Sequence, residues 1–151
     1  MEGSSNAVVV LGTLGIGKST LLNRIAGGEN FKTSDDAEGC TLKPGSVKYY
    51  HGGKATTVID TAGLNDPGMP LIDWISSYND FAKTSSNVSL CIIAFKASVR
   101  PTTENKADVI TIFEAIKNID TNNIAVVFTF CDDHNLEEPN NKGVLKWKAW
   151  I

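Results

Sequence analysis

The sequence contains few cysteines and no long hydrophobic run. Its three cysteines, Cys40, Cys91 and Cys131, are an odd number and lack the paired spacing of a metal site. The longest apolar runs, at residues 7–11 and 90–95, are much shorter than the roughly 18 residues that cross a bilayer. We therefore expect a reduced cytoplasmic protein without a transmembrane segment. Peripheral attachment to a membrane, through a partner or a missing C-terminal tail, stays open.

Positive charge is also scarce, and no basic patch stands out. The 14 Lys and Arg residues are outnumbered by 17 Asp and Glu residues, which gives a net charge of −3. Since nonspecific binding to nucleic acids depends on clustered Lys and Arg, we expect no nucleic-acid partner. The first five residues lack the charged and apolar regions of a signal peptide, and Gly3 lies one position too late for myristoylation. With 151 residues, 42% of them hydrophobic, the chain is expected to form one globular domain over residues 1–151.

Residues 12–20 have the glycine spacing of a phosphate-binding loop. They follow the apolar run 7–11 and precede a helix predicted at residues 18–26, so the context is strand, loop and helix. The glycines allow successive N–H groups to turn toward one anion, and the helix adds the positive end of its dipole. Lys18 is expected to reach the β- and γ-phosphates of a nucleotide, and the Ser19 hydroxyl to ligate Mg²⁺. The loop residues predicted to bind the nucleotide are Gly12, Leu14, Gly15, Ile16, Gly17, Lys18, Ser19 and Thr20.

A long polar segment follows at residues 29–45, where we expect a nucleotide-sensing switch. Thr33 and Thr41 compete for the role of sensing the γ-phosphate, and we favour Thr41 because it lies just before the second strand. Residues 45–50 and 54–60 then predict an antiparallel hairpin around the turn His51-Gly52-Gly53.

The third predicted strand ends in a second motif, Asp60-Thr61-Ala62-Gly63. An aspartate at the carboxyl end of a buried strand is able to hold Mg²⁺, and Gly63 is able to bring its N–H close to the γ-phosphate. This motif alone is weak evidence for a nucleotide site. The evidence is stronger here because the motif ends a strand, and α/β proteins bind their ligands at this edge of the sheet. We therefore predict that Ser19, Thr41 and Asp60 hold the metal.

The rest of the chain alternates helices and strands. Helices are predicted at residues 70–83 and 103–118, and strands at residues 88–97 and 123–130. Cys91, inside an apolar strand, is expected to be a core residue. The helix positions expected to be buried are Leu71, Ile72, Trp74, Ile75, Tyr78 and Phe81 in the first helix and Val109, Ile112, Phe113 and Ile116 in the second. The predicted fold class is α/β, with a mostly parallel sheet, helices on both faces and one antiparallel strand pair.

These motifs, in this order, resemble the guanine-nucleotide-binding domain of the Ras-like P-loop GTPases. Finer details resemble the immune-associated (GIMAP) GTPases of the avirulence-induced-gene type. The resemblance covers residues 6–135 and implies GTP or GDP with Mg²⁺ as ligands. The segments that carry the finer resemblance are Gly39-Cys40-Thr41, Asp60 to Asp66, Phe95 to Thr102, and Thr129-Phe130-Cys131-Asp132-Asp133.

The fourth guanine motif departs from the common pattern. The resemblance implies that Thr129, Phe130 and Asp132 form the base site, with Asp132 accepting hydrogen bonds from guanine. Common GTPases carry a lysine where this chain has Phe130, whose ring is expected to cover the purine but has no charge. Only 19 residues follow Asp132, so we expect the usual last strand, fifth guanine motif and terminal helix to be missing or replaced.

Leu64 stands where Ras-like proteins place a glutamine that orients the attacking water. Leucine has no polar group for this task, so slow intrinsic hydrolysis is expected. The resemblance implies that dimerization accelerates hydrolysis, because related proteins pair through their nucleotide faces and supply an arginine in trans. Arg100 matches the position of that arginine. The alternative, that Arg100 is a solvated loop cation, stays open.

We therefore predict a GTP-binding switch whose slow hydrolysis is stimulated in a GTP-dependent homodimer. The predicted catalytic residues are Lys18, Thr41, Gly63 and Arg100. Two alternatives stay open: a nucleotide-gated binding module with negligible turnover, and a P-loop ATPase or small-molecule kinase.

Overall fold

A five-stranded sheet runs through the centre of the computed structural model, which describes residues 6–31, 45–51, 54–76, 88–97 and 103–131. β1 is parallel to β3 and β4, and β5 is parallel to β4, whereas β2 is antiparallel to β3. The strands are β1 (Asn6–Leu11), β2 (Gly45–His51), β3 (Lys54–Asp60), β4 (Val88–Lys96) and β5 (Ile124–Thr129), in the spatial order β2-β3-β1-β4-β5. The predicted α/β class with one antiparallel pair is confirmed.

Helices connect the strands and cover the sheet. Residues 71–76 are helical and are called α2 here. The other helices among the described residues are α1 (Lys18–Ala26), α3 (Thr103–Ala115) and a short 3-10 helix (Thr121–Asn123). α1 ends at Gly27, whose φ of 74° lies in the left-handed region that closes many helices. In the described part of the chain, no helix has the length and hydrophobicity that a membrane span requires.

Two hydrophobic cores lie on opposite faces of the sheet because side chains alternate along each strand. On β1, Val9 and Leu11 belong to one core and Val10 to the other. The first core also contains Trp74 of α2, Ile112 of α3 and Ile116 just after α3, whereas the second contains Leu22 of α1. Helices therefore cover both faces, as the sequence predicts.

The core includes Cys91, which is fully buried on β4, as predicted. Burial raises the pKa of the Cys91 thiol to about 12, because the thiolate would have no water around it. This cysteine is therefore unreactive at neutral pH.

Most predicted element bounds agree with the structure, but three predicted core positions are wrong. Leu71 and Ile72 are 50% and 68% exposed, and Phe113 is 44% exposed. A helix turns by about 100° per residue and buries only one stripe, which Trp74 and Ile112 occupy, and Ile72 and Phe113 lie outside this stripe. Leu71 is on the side of Trp74 but stands at the first, exposed position of α2. α3 also ends at Ala115, three residues before the predicted residue 118. Tyr78 and Phe81 lie outside the described residues.

Candidate functional site

The predicted phosphate loop connects β1 to α1. Its backbone has positive φ angles at Gly12 (152°), Gly15 (73°) and Gly17 (81°). A Cβ atom on Gly12 would contact the Ile16 side chain and lie 2.7 Å from the Ala94 carbonyl oxygen, so only glycine fits there. Gly17 precedes α1, and the first turn of a helix carries N–H groups without intrahelical partners. This end of the helix is therefore suited to an anion.

Lys18 is the buried cation of the loop. Its ammonium donates a hydrogen bond of 2.9 Å to the Thr13 carbonyl, and the residue is 7% exposed. Burial lowers the pKa of Lys18 to about 8, although the charges of Asp60 and Asp66 act in the opposite direction. A phosphate group beside this ammonium would supply further negative charge in a place where water is scarce, which strengthens the attraction.

Ser19 and Asp60, two of the predicted metal ligands, are in contact. The Ser19 hydroxyl donates a hydrogen bond of 2.6 Å to Asp60 Oδ2, although the residues are 41 positions apart in sequence. Both are oxygen donors of the kind that Mg²⁺ prefers. The serine oxygen is able to bind a metal through a lone pair while its hydroxyl hydrogen is still donated to the carboxylate. The pair therefore fits a Mg²⁺ ion.

Buried hydrogen bonds hold the segment that follows Asp60. The Thr61 hydroxyl donates to the Val10 carbonyl at 2.6 Å, and the indole N–H of Trp74 donates to the Ala62 carbonyl at 2.9 Å. Thr61, Ala62 and Trp74 are all buried. The segment is thus attached both to β1 and to α2, and its position is set by the core.

Leu64 joins this segment directly to the phosphate loop. Its N–H donates to the Gly12 carbonyl at 3.1 Å, and its carbonyl accepts from the Leu14 N–H at 3.0 Å. Its side chain belongs to the core, with 2% of the residue exposed. The amide of Leu14, predicted to bind the nucleotide, is therefore bonded to Leu64 in this structure.

Gly63 lies against the backbone of the phosphate loop, where a larger residue does not fit. A Cβ atom at this position would lie 2.7 Å from Leu14 Cα and 2.8 Å from Leu14 N. We expect Gly63→Ala to lower the free energy of unfolding by about 1–3 kcal/mol, because the two backbones must move apart. Urea unfolding followed by circular dichroism measures the difference.

The matched control is Gly45→Ala on β2. A Cβ atom there would meet the ring carbons of Phe31 at 3.7 Å, which is an ordinary contact. We expect this variant to be as stable as the parent or slightly more stable. Equal losses of stability in the Gly63 and Gly45 variants would contradict the close approach described here.

The carboxyl end of β5 completes the described part of the site. Thr129 donates its hydroxyl to the Ile16 carbonyl at 2.7 Å and lies 3.1 Å from the Phe95 carbonyl. It therefore ties the sheet to the phosphate loop. Phe130 follows with a φ of 56° and is 47% exposed. The structure thus brings the phosphate loop, the Asp60–Gly63 motif and the start of the base motif to one edge of the sheet.

Several predicted site residues are not described by the structure. Thr33 and Thr41 of the switch segment, Arg100 and Asp132 all lie outside the described residues. Thr20 is described and exposed, on the first turn of α1. The roles assigned to these residues stay predictions.

Asn23 has a structural role near the site that the sequence did not indicate. Its amide oxygen accepts from the N–H groups of Asn30 and Phe31, and its amide nitrogen donates to the Phe31 carbonyl, all at 2.8 Å. The side chain thus holds the start of the polar segment against α1. Asparagine is frequent in such local contacts, but the residue type alone does not tell which segment it will hold.

A family model described as 50S ribosome-binding GTPase matches residues 7–131 of the chain. The matched range contains the phosphate loop, the segment from Asp60 to Leu64, and Thr129 and Phe130.

Among curated proteins, the chain is similar to GTPase Der of Streptococcus mutans, with 30% identity over 103 residues. The match covers 68% of this chain and 23% of Der. The chain thus spans about a quarter of the length of the curated relatives that it matches.

Solved structures of chloroplast translocon proteins have the same fold. One of them belongs to the chloroplast translocon components atToc33 and psToc159, for whose GTPase activity dimerization is important. It has a TM-score of 0.77 and 25% identity, and the match covers 96% of this chain and 58% of that chain. Another, Toc33 from Arabidopsis thaliana with Mg²⁺ and GMPPNP, has a TM-score of 0.68 and 22% identity, and the match covers 97% of this chain and 57% of that chain. The architecture of the chain is therefore that of the Ras-like P-loop proteins.

Proposed function

The chain belongs to the family described as 50S ribosome-binding GTPase, and from this premise we propose that it is a GTP-binding switch that hydrolyses GTP to GDP and phosphate. The observation that carries the proposal is the 2.6 Å hydrogen bond between Ser19 and Asp60. It joins the phosphate loop and the motif of β3 into one pair of oxygen donors, next to the buried ammonium of Lys18.

The ligands are a guanine nucleotide and Mg²⁺, the combination present in the Toc33 structure with GMPPNP. Lys18 neutralises phosphate charge, Ser19 and Asp60 hold the metal, and Gly63 places its N–H at the γ-phosphate. When bound, Mg²⁺ would neutralise charge on the β- and γ-phosphates. Thr41, which is predicted to sense the γ-phosphate, would complete the metal site.

Hydrolysis by a single protomer is slow in this proposal. The Leu64 side chain is apolar and buried, and both backbone groups of Leu64 are bonded to the phosphate loop. This residue is therefore unable to orient a water molecule. A homodimer in which Arg100 of one protomer enters the site of the other would supply the missing group, and the dimerization-dependent activity of the Toc proteins supports this arrangement.

The finer assignment to the GIMAP GTPases has less support. The family model and the relatives named above support the P-loop GTPases in general and do not support that subfamily. The segment Gly39-Cys40-Thr41, on which the finer resemblance partly depends, lies outside the described residues. The description of the matched family names the 50S ribosome, whereas the net charge of −3 predicts no nucleic-acid partner for this chain.

The nucleotide that co-purifies with the protein tests the proposal most directly. Denaturing the protein and separating the released nucleotide by ion exchange is expected to give GDP or GTP, and phosphate release is expected to follow added GTP. ATP or ADP as the bound nucleotide would contradict the proposal and favour the ATPase alternative. Tight GTP binding without phosphate release would favour the binding module.

Replacement of Asp132 tests the assignment of guanine. We expect Asp132→Asn to shift the preference from guanine toward xanthine, whose C2 carbonyl presents an acceptor where guanine has a donor. A hydrogen bond to a charged group contributes about 1.5–3 kcal/mol, so GTP affinity should fall by roughly 10- to 150-fold. Competition titrations with GTP, XTP and ATP measure the order of preference.

The control is Asp133→Asn, which removes the same charge one position later. We expect this variant to keep the preference for GTP. If the Asp133 variant changes the preference and the Asp132 variant does not, base recognition belongs to Asp133.

A further inference from the structure

Phe130, which replaces the common lysine of the base motif, has a lysine above its ring. The Nζ atom of Lys96 lies 4.5 Å from the centroid of the Phe130 ring. This is within the roughly 6 Å at which a cation is attracted to an aromatic face. Lys96 is the last residue of β4, whereas Phe130 follows β5. A neighbouring strand therefore places beside Phe130 the positive charge that its own side chain lacks.

The sheet holds these two residues together. β4 and β5 are parallel, and Lys96 is paired in register with Thr129. The N–H of Ala97 donates to the Thr129 carbonyl at 3.0 Å, which extends the pairing past the end of β4. Phe130 then adopts a φ of 56°, in the left-handed region that few residues other than glycine adopt. The contact between Lys96 and the Phe130 ring therefore follows from the strand register and the backbone conformation. Lys96 itself is only partly exposed.

The Phe130 ring also lies beside the phosphate loop. A Cβ atom on Gly17 would lie 3.4 Å from Phe130 Cε2 and 3.9 Å from its Cζ. The ring edge thus lies beside the backbone at the start of α1, where the loop ends. Since Phe130 is 47% exposed, part of the ring is accessible to a ligand that extends from the loop. A base attached to phosphates in the loop would be close to this surface.

We propose that Lys96 is a specificity-determining residue of the base site, an inference that rests on the proposed binding of GTP. The Phe130 ring lies between the Lys96 ammonium on one face and the guanine base on the other. The cation attracts π-electron density toward its own face, and the opposite face becomes a better partner for an electron-rich purine. Guanine is more electron-rich than adenine, so the pair favours guanine.

The first test replaces Lys96 by methionine, which keeps the apolar stem and removes the charge. We expect the affinity for GDP to fall by about 2- to 30-fold, the range of a cation–π contact. The factor should be the same for GMP, GDP and GMPPNP and smaller for ADP, each measured by displacement of a fluorescent GDP analogue, because the charge acts at the base and favours guanine. A loss that grows with each added phosphate would overturn the proposal. Lys117→Met, at an exposed lysine, is the charge-matched control and should bind like the parent.

The second test separates this contact from a merely structural role of Lys96. Lys96→Arg should restore most of the affinity, because a guanidinium also binds an aromatic face. In a Phe130→Leu background, Lys96→Met should cause no further loss, because the ring through which the charge acts is absent. Independent losses that multiply in the double variant would overturn the inference. If the parent protein itself binds no guanine nucleotide, the proposed function fails; if the parent binds and Lys96→Met binds equally well, only this inference fails.

Discussion

Replacing Lys18 by alanine is expected to remove measurable nucleotide binding. Lys18 is the buried cation of the phosphate loop, and its ammonium is held by the Thr13 carbonyl. Each hydrogen bond between this ammonium and a phosphate contributes about 1.5–3 kcal/mol, so the loss of two corresponds to roughly 150- to 20,000-fold in affinity. Titration with a fluorescent GTP analogue measures the effect.

The control for Lys18→Ala is Lys117→Ala, which removes the same charge from an exposed side chain paired with Glu114. This variant should bind the nucleotide like the parent. Circular dichroism must also show that the Lys18 variant is folded. A folded Lys18→Ala protein that binds the GTP analogue at parental strength would contradict the assignment of this loop to phosphate.

Replacing Arg100 by alanine is expected to abolish the stimulation of hydrolysis by dimerization. An arginine that enters a phosphoryl-transfer site contributes a factor of about 10³–10⁵, because it stabilises the charge of the transition state. Nucleotide affinity should change little, since in the proposed dimer the arginine comes from the other protomer. Phosphate release per protomer, measured over a range of protein concentrations, should rise for the parent and stay flat for Arg100→Ala.

The sequence offers a matched control, because it contains only one other arginine, Arg24. Arg24 is exposed in the last turn of α1, and Arg24→Ala should keep the concentration dependence of the parent. Dimers should also form with GMPPNP and dissociate with GDP, since in the proposed dimer the γ-phosphate would order the loops that pair. Flat activity per protomer in the parent, together with parental turnover in the Arg100 variant, would contradict the trans-acting arginine and favour the binding-module alternative.

The sequence predicts those parts of the site in which the chemistry requires particular residue types or the sheet topology fixes where a strand ends. The phosphate loop needs glycines at set positions, so Gly12 and Gly17 identify it without any knowledge of the fold. The contact between Ser19 and Asp60 follows because β1 and β3 are parallel neighbours and their carboxyl ends share one edge.

Other contacts depend on geometry that no local pattern determines. The bonds between Leu64 and the phosphate loop require two segments to meet as a short parallel bridge. The contact of Lys96 with Phe130 requires the register of β4 and β5 and an unusual backbone angle at Phe130. The exposure of Ile72 has the same origin, because hydrophobicity identifies candidates for burial, while the position of the sheet decides which stripe of α2 is covered.

Because Trp74 donates a hydrogen bond to the Ala62 carbonyl, its intrinsic fluorescence is expected to report on the segment around Gly63. The buried indole is bonded to the residue just before Gly63, and Leu64 connects the same segment to the phosphate loop. Indole emission depends on the dipoles and hydrogen-bond partners around the ring, so a shift of this segment when a γ-phosphate binds would change the wavelength or intensity of Trp74 fluorescence. The sequence has three tryptophans, so a variant with phenylalanine in place of Trp147 and Trp150 would leave Trp74 as its single indole. Occupancy of the γ-phosphate position then becomes readable in real time, without a labelled nucleotide.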